Sequence, residues 1–322
     1  MARWLEEGRI IMRIAFMGSG RLACPALRAL LEQKQDEVVG LVTQPDRPSG
    51  RRQHLAPCPV RAFVGQRDIP ILMPEKVSAP DVVEQIASWK PDLFVVADFG
   101  QLLKPALLAV PPLGSINIHP SLLPKYRGAA PIAWAVANGD TETGLTIMYL
   151  NERMDAGDII LQEKIPIHDE HTAATLEPLM AELGATLLLR VLMDIRAGRI
   201  RRTPQDESRV VLAPKLRKQD GRIIWTRAAA EIHNRVRGFV PWPGTYCEVP
   251  EGSGHFLRIM RTKVEEGRGR PGEVLGSDVM GPLVACGEKA IRLLEVQPEG
   301  KKPMAGGAYL CGHPMKAGEL LG

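Results

Sequence analysis

Cysteine is scarce in this chain of 322 residues: Cys24, Cys58, Cys247, Cys286 and Cys311 are odd in number, scattered and never spaced C-x-x-C. That pattern excludes a disulfide framework and a zinc site, and it suits a reducing cytoplasm. Long apolar runs are missing too. None approaches the roughly 20 residues that a membrane helix needs, so no membrane partner is expected. The opening "MARWLEEGRII" carries Glu6 and Glu7 and lacks the apolar core of a cleavable leader. Met12 begins "MRIAFMGSG" and reads as a native start, which makes residues 1–11 a dispensable or misassigned extension. No internal repeat and no low-complexity tract occurs. What is present is ordinary for a globular protein, 45% hydrophobic and 24% charged, in a chain long enough for two domains.

The net charge of +4 is unevenly shared: residues 1–200 hold 21 Lys+Arg against 23 Asp+Glu, residues 201–322 hold 20 against 14. A near-neutral front and a basic back suggest a second domain that meets a polyanion. Apolar runs in the front half alternate with amphipathic segments. "RIAFM" (13–17), "VVGLVT" (38–43), "PDLFVVADF" (91–99) and "GSINIH" (114–119) read as strands. "CPALRALLEQ" (24–33), "PDVVEQIASW" (80–89) and "PALLAV" (105–110) read as helices. Near-continuous Val/Ile/Leu strands between helices predict an α/β domain, a doubly wound and mostly parallel sheet buried on both faces. "TGLTIMYL" (143–150) and "DIILQEKIPI" (158–167) predict an antiparallel pair. A long helix follows, with Leu179, Leu183, Leu187, Val191 and Ile195 along one face and Pro178 at its start or in its first turn. The charged, aperiodic stretch 201–218 reads as a linker between a domain of residues 12–200 and another of 219–322. The latter has one helix (227–239) and several short strands among Gly/Pro turns, which predicts a small OB-like β-barrel.

Several motifs compete for function. "GSGRLA" (18–23) fits a dinucleotide fingerprint in its strand–turn–helix setting, yet Pro25 inside the helix and Pro45 before Asp46 argue for a plain glycine turn. His168, Asp169, Glu170 and His171 cluster like metal ligands but have no third partner at a suitable spacing, so no metal is expected. "INIHP" differs. Residues two apart on a strand share a face, so Asn117 and His119 stand together at the carboxyl end of a central strand that Pro120 terminates. Burying an amide and an imidazole on an apolar strand without partners is costly, which favours a site. A carboxylate to orient the ring is available from "NERMDAGDII" (151–160), where spacing leaves Asp155 and Asp158 both open. The Pro/Gly-rich loop 43–61 holds Arg47, Arg51, Arg52 and Arg61 and suits phosphate contacts.

Together these pieces resemble the methionyl-tRNA formyltransferase family from about residue 12 to about residue 310. "INIHPSLLPKYRGAAPI" (116–132) is close to the family's Asn-x-His-x-Ser-Leu-Leu-Pro-x-x-Arg-Gly signature, and "NGDTETGLTIM" and "MDAGDII" follow. The resemblance implies transfer of a formyl group from 10-formyltetrahydrofolate, a co-substrate, to the α-amine of initiator methionyl-tRNA. It implies catalysis by Asn117, His119 and Asp155, the first Asp of "MDAGD". Folate would lie against Phe99, Gly100, Gln101 and Leu102 and against Ser121, Leu122, Leu123 and Pro124. The tRNA would meet Arg47, Arg51, Arg52, Lys125 and Arg127, and Lys301 and Lys302 in the second domain. A cytoplasmic monomer is expected. Two departures stand out: "GSGRLACPAL" replaces the family's Gly-Thr-Pro-x-Phe turn, and Phe99 replaces a common Tyr. The same Asn-His-Asp set serves formyltransferases of amino-sugar nucleotides and other small amines, which is the alternative function. An oxidoreductase built on "GSGRLA" and a pure RNA-binding module are more distant readings.

Overall fold

The computed structural model describes residues 3–4, 10–49 and 54–322 and divides into two units. The first comprises Met1–Ala129, Thr143–Ile165 and Glu177–Ala213, the second Ala130–Glu142, Pro166–Leu176 and Pro214–Gly322.

The first unit is built on a seven-stranded sheet of β1 (Arg13–Gly18), β2 (Glu37–Val42), β3 (Ile71–Leu72), β4 (Leu93–Ala97), β5 (Ser115–His119), β6 (Glu142–Tyr149) and β7 (Ile159–Pro166). Its spatial order is β7-β6-β5-β4-β1-β2-β3. Pairs β1–β2, β1–β4, β2–β3 and β4–β5 are parallel, and β6 runs antiparallel to β5 with Thr146 opposite His119 and Met148 opposite Asn117. The winding reverses between β1 and β4, so their carboxyl ends frame a crevice beside the end of β5. The sequence reason is plain. Leu93–Ala97 and Ser115–His119 are buried at every residue, as strands covered on both faces must be.

Helices α1 (Ala23–Gln33), α2 (Pro59–Val64), α3 (Pro80–Ser88), α4 (Pro105–Leu108) and α5 (Pro131–Ala137) link these strands. Four of the five open on proline, which fixes φ where a first-turn N–H has no helical partner anyway. The apolar face of β5 packs on α6 (Ala173–Arg196): an added Cβ on Gly184 would lie 3.0 Å from the Ile118 Cγ2 and 3.1 Å from the Leu145 Cδ1. Asn117 and His119 therefore face the other side, with Val96 and Phe94, where Met17, Val42, Ile86 and Leu107 form a dry core. Each such buried side chain contributes about 1.5–3 kcal/mol. The predicted stripe of α6 needs correction. Leu179 is 54% exposed, and the buried face runs through Leu176, Met180, Leu187, Leu188, Val191 and Leu192. Pro178 lies inside the helix, beyond its start at Ala173.

The second unit holds α5, α7 (Ala229–Gly238), α8 (Gly306–Gly312) and an antiparallel sheet. Its strands are β8 (Thr245–Glu248), β9 (Phe256–Glu265), β10 (Val274–Asp278), β11 (Gly281–Ala285), β12 (Ala290–Pro298) and β13 (Met304–Ala305), in order β8-β9-β12-β11-β10 with β13 against β12. This is the small barrel-like domain that the short strands predicted. Trp225, Ile232, Val236, Leu257, Ile259, Ile291 and Leu293 fill its core. α5, absent from the sequence reading, packs on α7 through Gly238, whose Cβ would stand 2.6 Å from the Ala133 carbonyl, and through an edge-to-face Trp134–Phe239 contact at 5.5 Å. In the charged stretch read as a linker, residues through Ala213 group with the first unit and Pro214 begins the second. Residues 127–128 pair in parallel with 212–213.

Candidate active site

Asn117 and His119 lie at the carboxyl end of β5, 9% and 4% exposed. The imidazole Nε2 sits 2.9 Å from the Tyr126 carbonyl. A carbonyl only accepts, so Nε2 carries the proton and Nδ1 presents the lone pair. Tyr126 holds that carbonyl in place through a left-handed backbone, φ +65°. Nδ1 faces the Asp155 Oδ2 at 3.8 Å, too far for a hydrogen bond but with the carboxylate beside the ring. Among the described residues no protein group hydrogen-bonds the Asn117 carboxamide. A buried amide left open in this way is a donor for something that is not protein.

Asp155 reaches the ring because the chain after β6 doubles back. Gly157 crosses the Tyr149 carbonyl so closely that a Cβ there would lie 1.7 Å from its oxygen. The Tyr149 N–H donates to the Asp158 carbonyl at 2.9 Å, and Asp155 takes a left-handed φ of +49°. The Gly128 N–H then donates to the Asp155 Oδ2 at 2.8 Å. Sequence spacing left Asp155 and Asp158 open; the carboxylate facing the imidazole is that of Asp155.

The "SLLP" loop beyond β5 is pinned from β6 and β7. The Thr146 hydroxyl donates to the Ser121 carbonyl at 2.6 Å and accepts from the Leu123 N–H at 3.2 Å. The Gln162 amide donates to both the Leu123 carbonyl (2.9 Å) and Thr146 (2.8 Å). Ser121 Oγ donates to the Lys125 carbonyl at 2.6 Å, and the Leu123–Pro124 peptide is cis. Ser121 and Leu123 are thereby buried, with Leu122 and Pro124 half-buried. On β4's side, Phe99 is buried in the core and Leu102 is 65% exposed. Gly100 has φ +78°, and the Gln101 amide bonds Val77 N and Pro74 O at 2.8 and 3.0 Å. Thr146 and Gln162 escaped the sequence reading: Thr146 offered only the signal of a polar residue on a buried strand, and Gln162 lies in the exposed polar run of β7.

The glycine turn 18–20 serves the crevice differently from a dinucleotide site. Ser19 and Gly20 donate their N–H groups to the Asp98 carbonyl at 3.1 and 3.2 Å, and a Cβ on Gly20 would collide with the Asp98 carboxylate. Asp98 keeps an exposed surface yet sits crowded in the crevice. Loss of hydration, reinforced by repulsion from Glu177, raises its pKa above the ordinary Asp range. At the suspected metal cluster, His171 Nδ1 accepts from the His168 N–H at 3.1 Å, and no group of metal-ligating side chains occurs among the described residues.

The basic residues divide. Arg47 is exposed and paired with Glu75 at 2.6 Å, and Arg61 pairs with Asp46. Arg51 and Arg52 lie outside the described residues. Lys125, Lys301 and Lys302 are exposed. Arg127 is the correction: its side chain is 5% exposed and committed to Gln205 Oε1 (3.0 and 2.9 Å) and to Glu207 (3.2 and 3.0 Å), so it cannot reach a nucleic acid. A basic residue on a turn looks solvated in sequence; here the stretch 205–213 covers it.

The family model described as formyl transferase matches residues 12–192, and that of the formyl transferase C-terminal domain matches 215–314. Among curated relatives, the methionyl-tRNA formyltransferase of Geobacter sulfurreducens is 44% identical over 97% of both chains. That of Pelobacter propionicus is 44% identical over 96% of both. Solved structures of similar fold include HypX from Aquifex aeolicus in complex with tetrahydrofolic acid (TM-score 0.62, 18% identity, 97% of this chain and 50% of that one). The sugar 3N-formyltransferase WlaRD is similar too (TM-score 0.62, 18% identity, 91% and 99%). With both domain models met in order and relatives alike from end to end, the chain belongs to the methionyl-tRNA formyltransferase family.

Proposed function

We propose that this chain transfers the formyl group of 10-formyltetrahydrofolate to the α-amine of methionyl initiator tRNA. The observation that carries the reading is the meeting of three groups at the rim of β5: the unpartnered Asn117 amide, the His119 ring and the Asp155 carboxylate 3.8 Å from Nδ1. The amine attacks the formyl carbon and the C–O π electrons move to oxygen. Asn117 Nδ2–H donates to that oxyanion, and removal of such a donor raises the barrier by about 2.7–4 kcal/mol. His119 Nδ1, the basic nitrogen of this tautomer, takes the proton that the amine sheds and delivers it to the leaving folate nitrogen as the C–N bond breaks. Asp155 stabilises the imidazolium between those two events.

The folate ring would lie at the exposed edge formed by Gly100, Gln101 and Leu102 and along the loop 121–124. Phe99, Ser121 and Leu123 contribute there through main-chain shape, since their side chains are buried. Arg47, Arg51, Arg52 and Lys125 would meet the acceptor end of the tRNA, and Lys301 and Lys302 its body. The division of labour follows the charge: the unit built on β1–β7, which takes in residues up to Ala213, carries out transfer, and the basic 219–322 domain binds tRNA as part of a cytoplasmic monomer. No helix among the described residues is long and apolar enough to cross a membrane. The test is formyl transfer from 10-formyltetrahydrofolate offered separately to methionyl-tRNA, glycinamide ribonucleotide and an amino-sugar nucleotide. Turnover with methionyl-tRNA alone is expected; preference for either small amine overturns the assignment.

A further inference from the structure

Asp155 is held at the ring by more than its own carboxylate. Its peptide carbonyl and that of Gly157 both accept from the Gln205 side-chain amide, at 2.9 and 2.8 Å. The other end of the same amide, Oε1, receives Nε and Nη2 of Arg127 at 3.0 and 2.9 Å. Arg127 only donates, and the two carbonyls only accept, so the amide has one orientation that satisfies all its neighbours. Glu207 locks the guanidinium from its other side and also receives Arg153 at 2.8 Å. The backbone it grips is one that needs gripping: Asp155 sits at φ +49°, where a non-glycine residue is strained.

The geometry points to Gln205 as a positioning residue of the transfer reaction, acting through the main chain of the Asp155 turn; the inference rests on Asp155 being the catalytic carboxylate. Gln205 clamps the two carbonyls that flank the turn, Gly128 N–H fixes the carboxylate, and His119 is met from a defined direction. The residue comes from the stretch that sequence reading treated as a linker, so nothing about its spacing announces a link to the site.

The test is Gln205→Glu in the full-length chain. The carboxylate still pairs with the buried Arg127 guanidinium, which preserves the ion cluster, but it has no N–H for either carbonyl. The expected result is a kcat lower by about 10–100-fold, since displacement of a reacting group by about 1 Å costs up to 10² in rate, with KM for both substrates within about twofold. Gln205→Met, which removes both functions at similar volume, shows the same split. The discriminating arm is a double-mutant cycle under single-turnover conditions: in an Asp155→Asn background, Gln205→Glu costs less than about twofold, because the group it positions is gone. An equal loss in both backgrounds, a loss confined to KM, or unchanged kcat in a wild-type background overturns the inference while leaving the transfer reaction standing. A wild-type chain that fails to formylate methionyl-tRNA, or an Asp155→Asn chain at full turnover, overturns it together with the reading beneath it.

Discussion

Gly157→Ala is the most exacting probe of how the carboxylate reaches the ring. The new methyl would lie 1.7 Å from the Tyr149 main-chain oxygen, and real Cβ contacts do not fall below 3.0 Å, so backbone must separate by about 1.3 Å. Neither side is free to give. Tyr149 lies within β6, in register with Ile116 of β5, and its N–H is bound to the Asp158 carbonyl. The strain falls on residues 150–158, where Asp155 sits. Overpacking of this kind costs about 1–3 kcal/mol of stability. A shift of that size at a reacting group costs about 10² in kcat, or roughly 2.7 kcal/mol of barrier. The assay is steady-state formylation of methionyl-tRNA beside urea unfolding. Gly276→Ala is the control, since nothing lies within 4 Å of its Cβ position. It leaves turnover unchanged. Gly157→Ala with kcat within twofold of wild type and normal stability refutes the account of the turn.

Three further outcomes are expected. Thr146→Val keeps the shape of a fully buried side chain but strips the Ser121 carbonyl and the Leu123 N–H of their partner; at about 1–3 kcal/mol for each stranded group, unfolding by urea shows a loss of about 2–6 kcal/mol. Asp98 has a raised pKa from desolvation and Glu177, so the native state holds a proton that the unfolded chain has lost, and stability falls as pH rises from the ordinary Asp range through the raised value. Asp98→Asn is therefore more stable than wild type at pH 7, and the advantage vanishes below about pH 3; an advantage that persists there contradicts the assignment. Replacing Lys301 and Lys302 by Gln lowers the magnitude of the log–log salt slope of tRNA binding by about 0.7–0.9 per lysine in filter-binding titrations, and an unchanged slope removes them from the interface.

What the sequence reveals here follows from periodicity. β4 and β5 are buried at every position because both faces are covered, β4 is apolar throughout, and polar side chains at i and i+2 on a strand such as β5 stand out against that background. α5 escaped notice because "PIAWAVA" is seven residues long, too short for a helical period to separate from a strand-like run. The α6 stripe slipped because several of its positions are apolar on adjacent faces, so Leu179 and Leu176 are equally acceptable until a neighbour chooses between them. Arg127 and Gln205 mark the limit of local reading. Their partners stand 48 to 80 residues away in sequence, and no composition or spacing encodes a contact that only the docking of 205–213 creates.

The Tyr126 carbonyl has a consequence for timing. By tying up one imidazole nitrogen, it leaves the ring a single port, which must be emptied before it can be filled again. In the proposed reaction, arrival of a hydrogen from the acceptor and its departure to the leaving fragment would thus occur in succession at one atom, never as a relay through opposite sides of the ring. Turnover limited by either event should vary linearly with the deuterium fraction of the solvent.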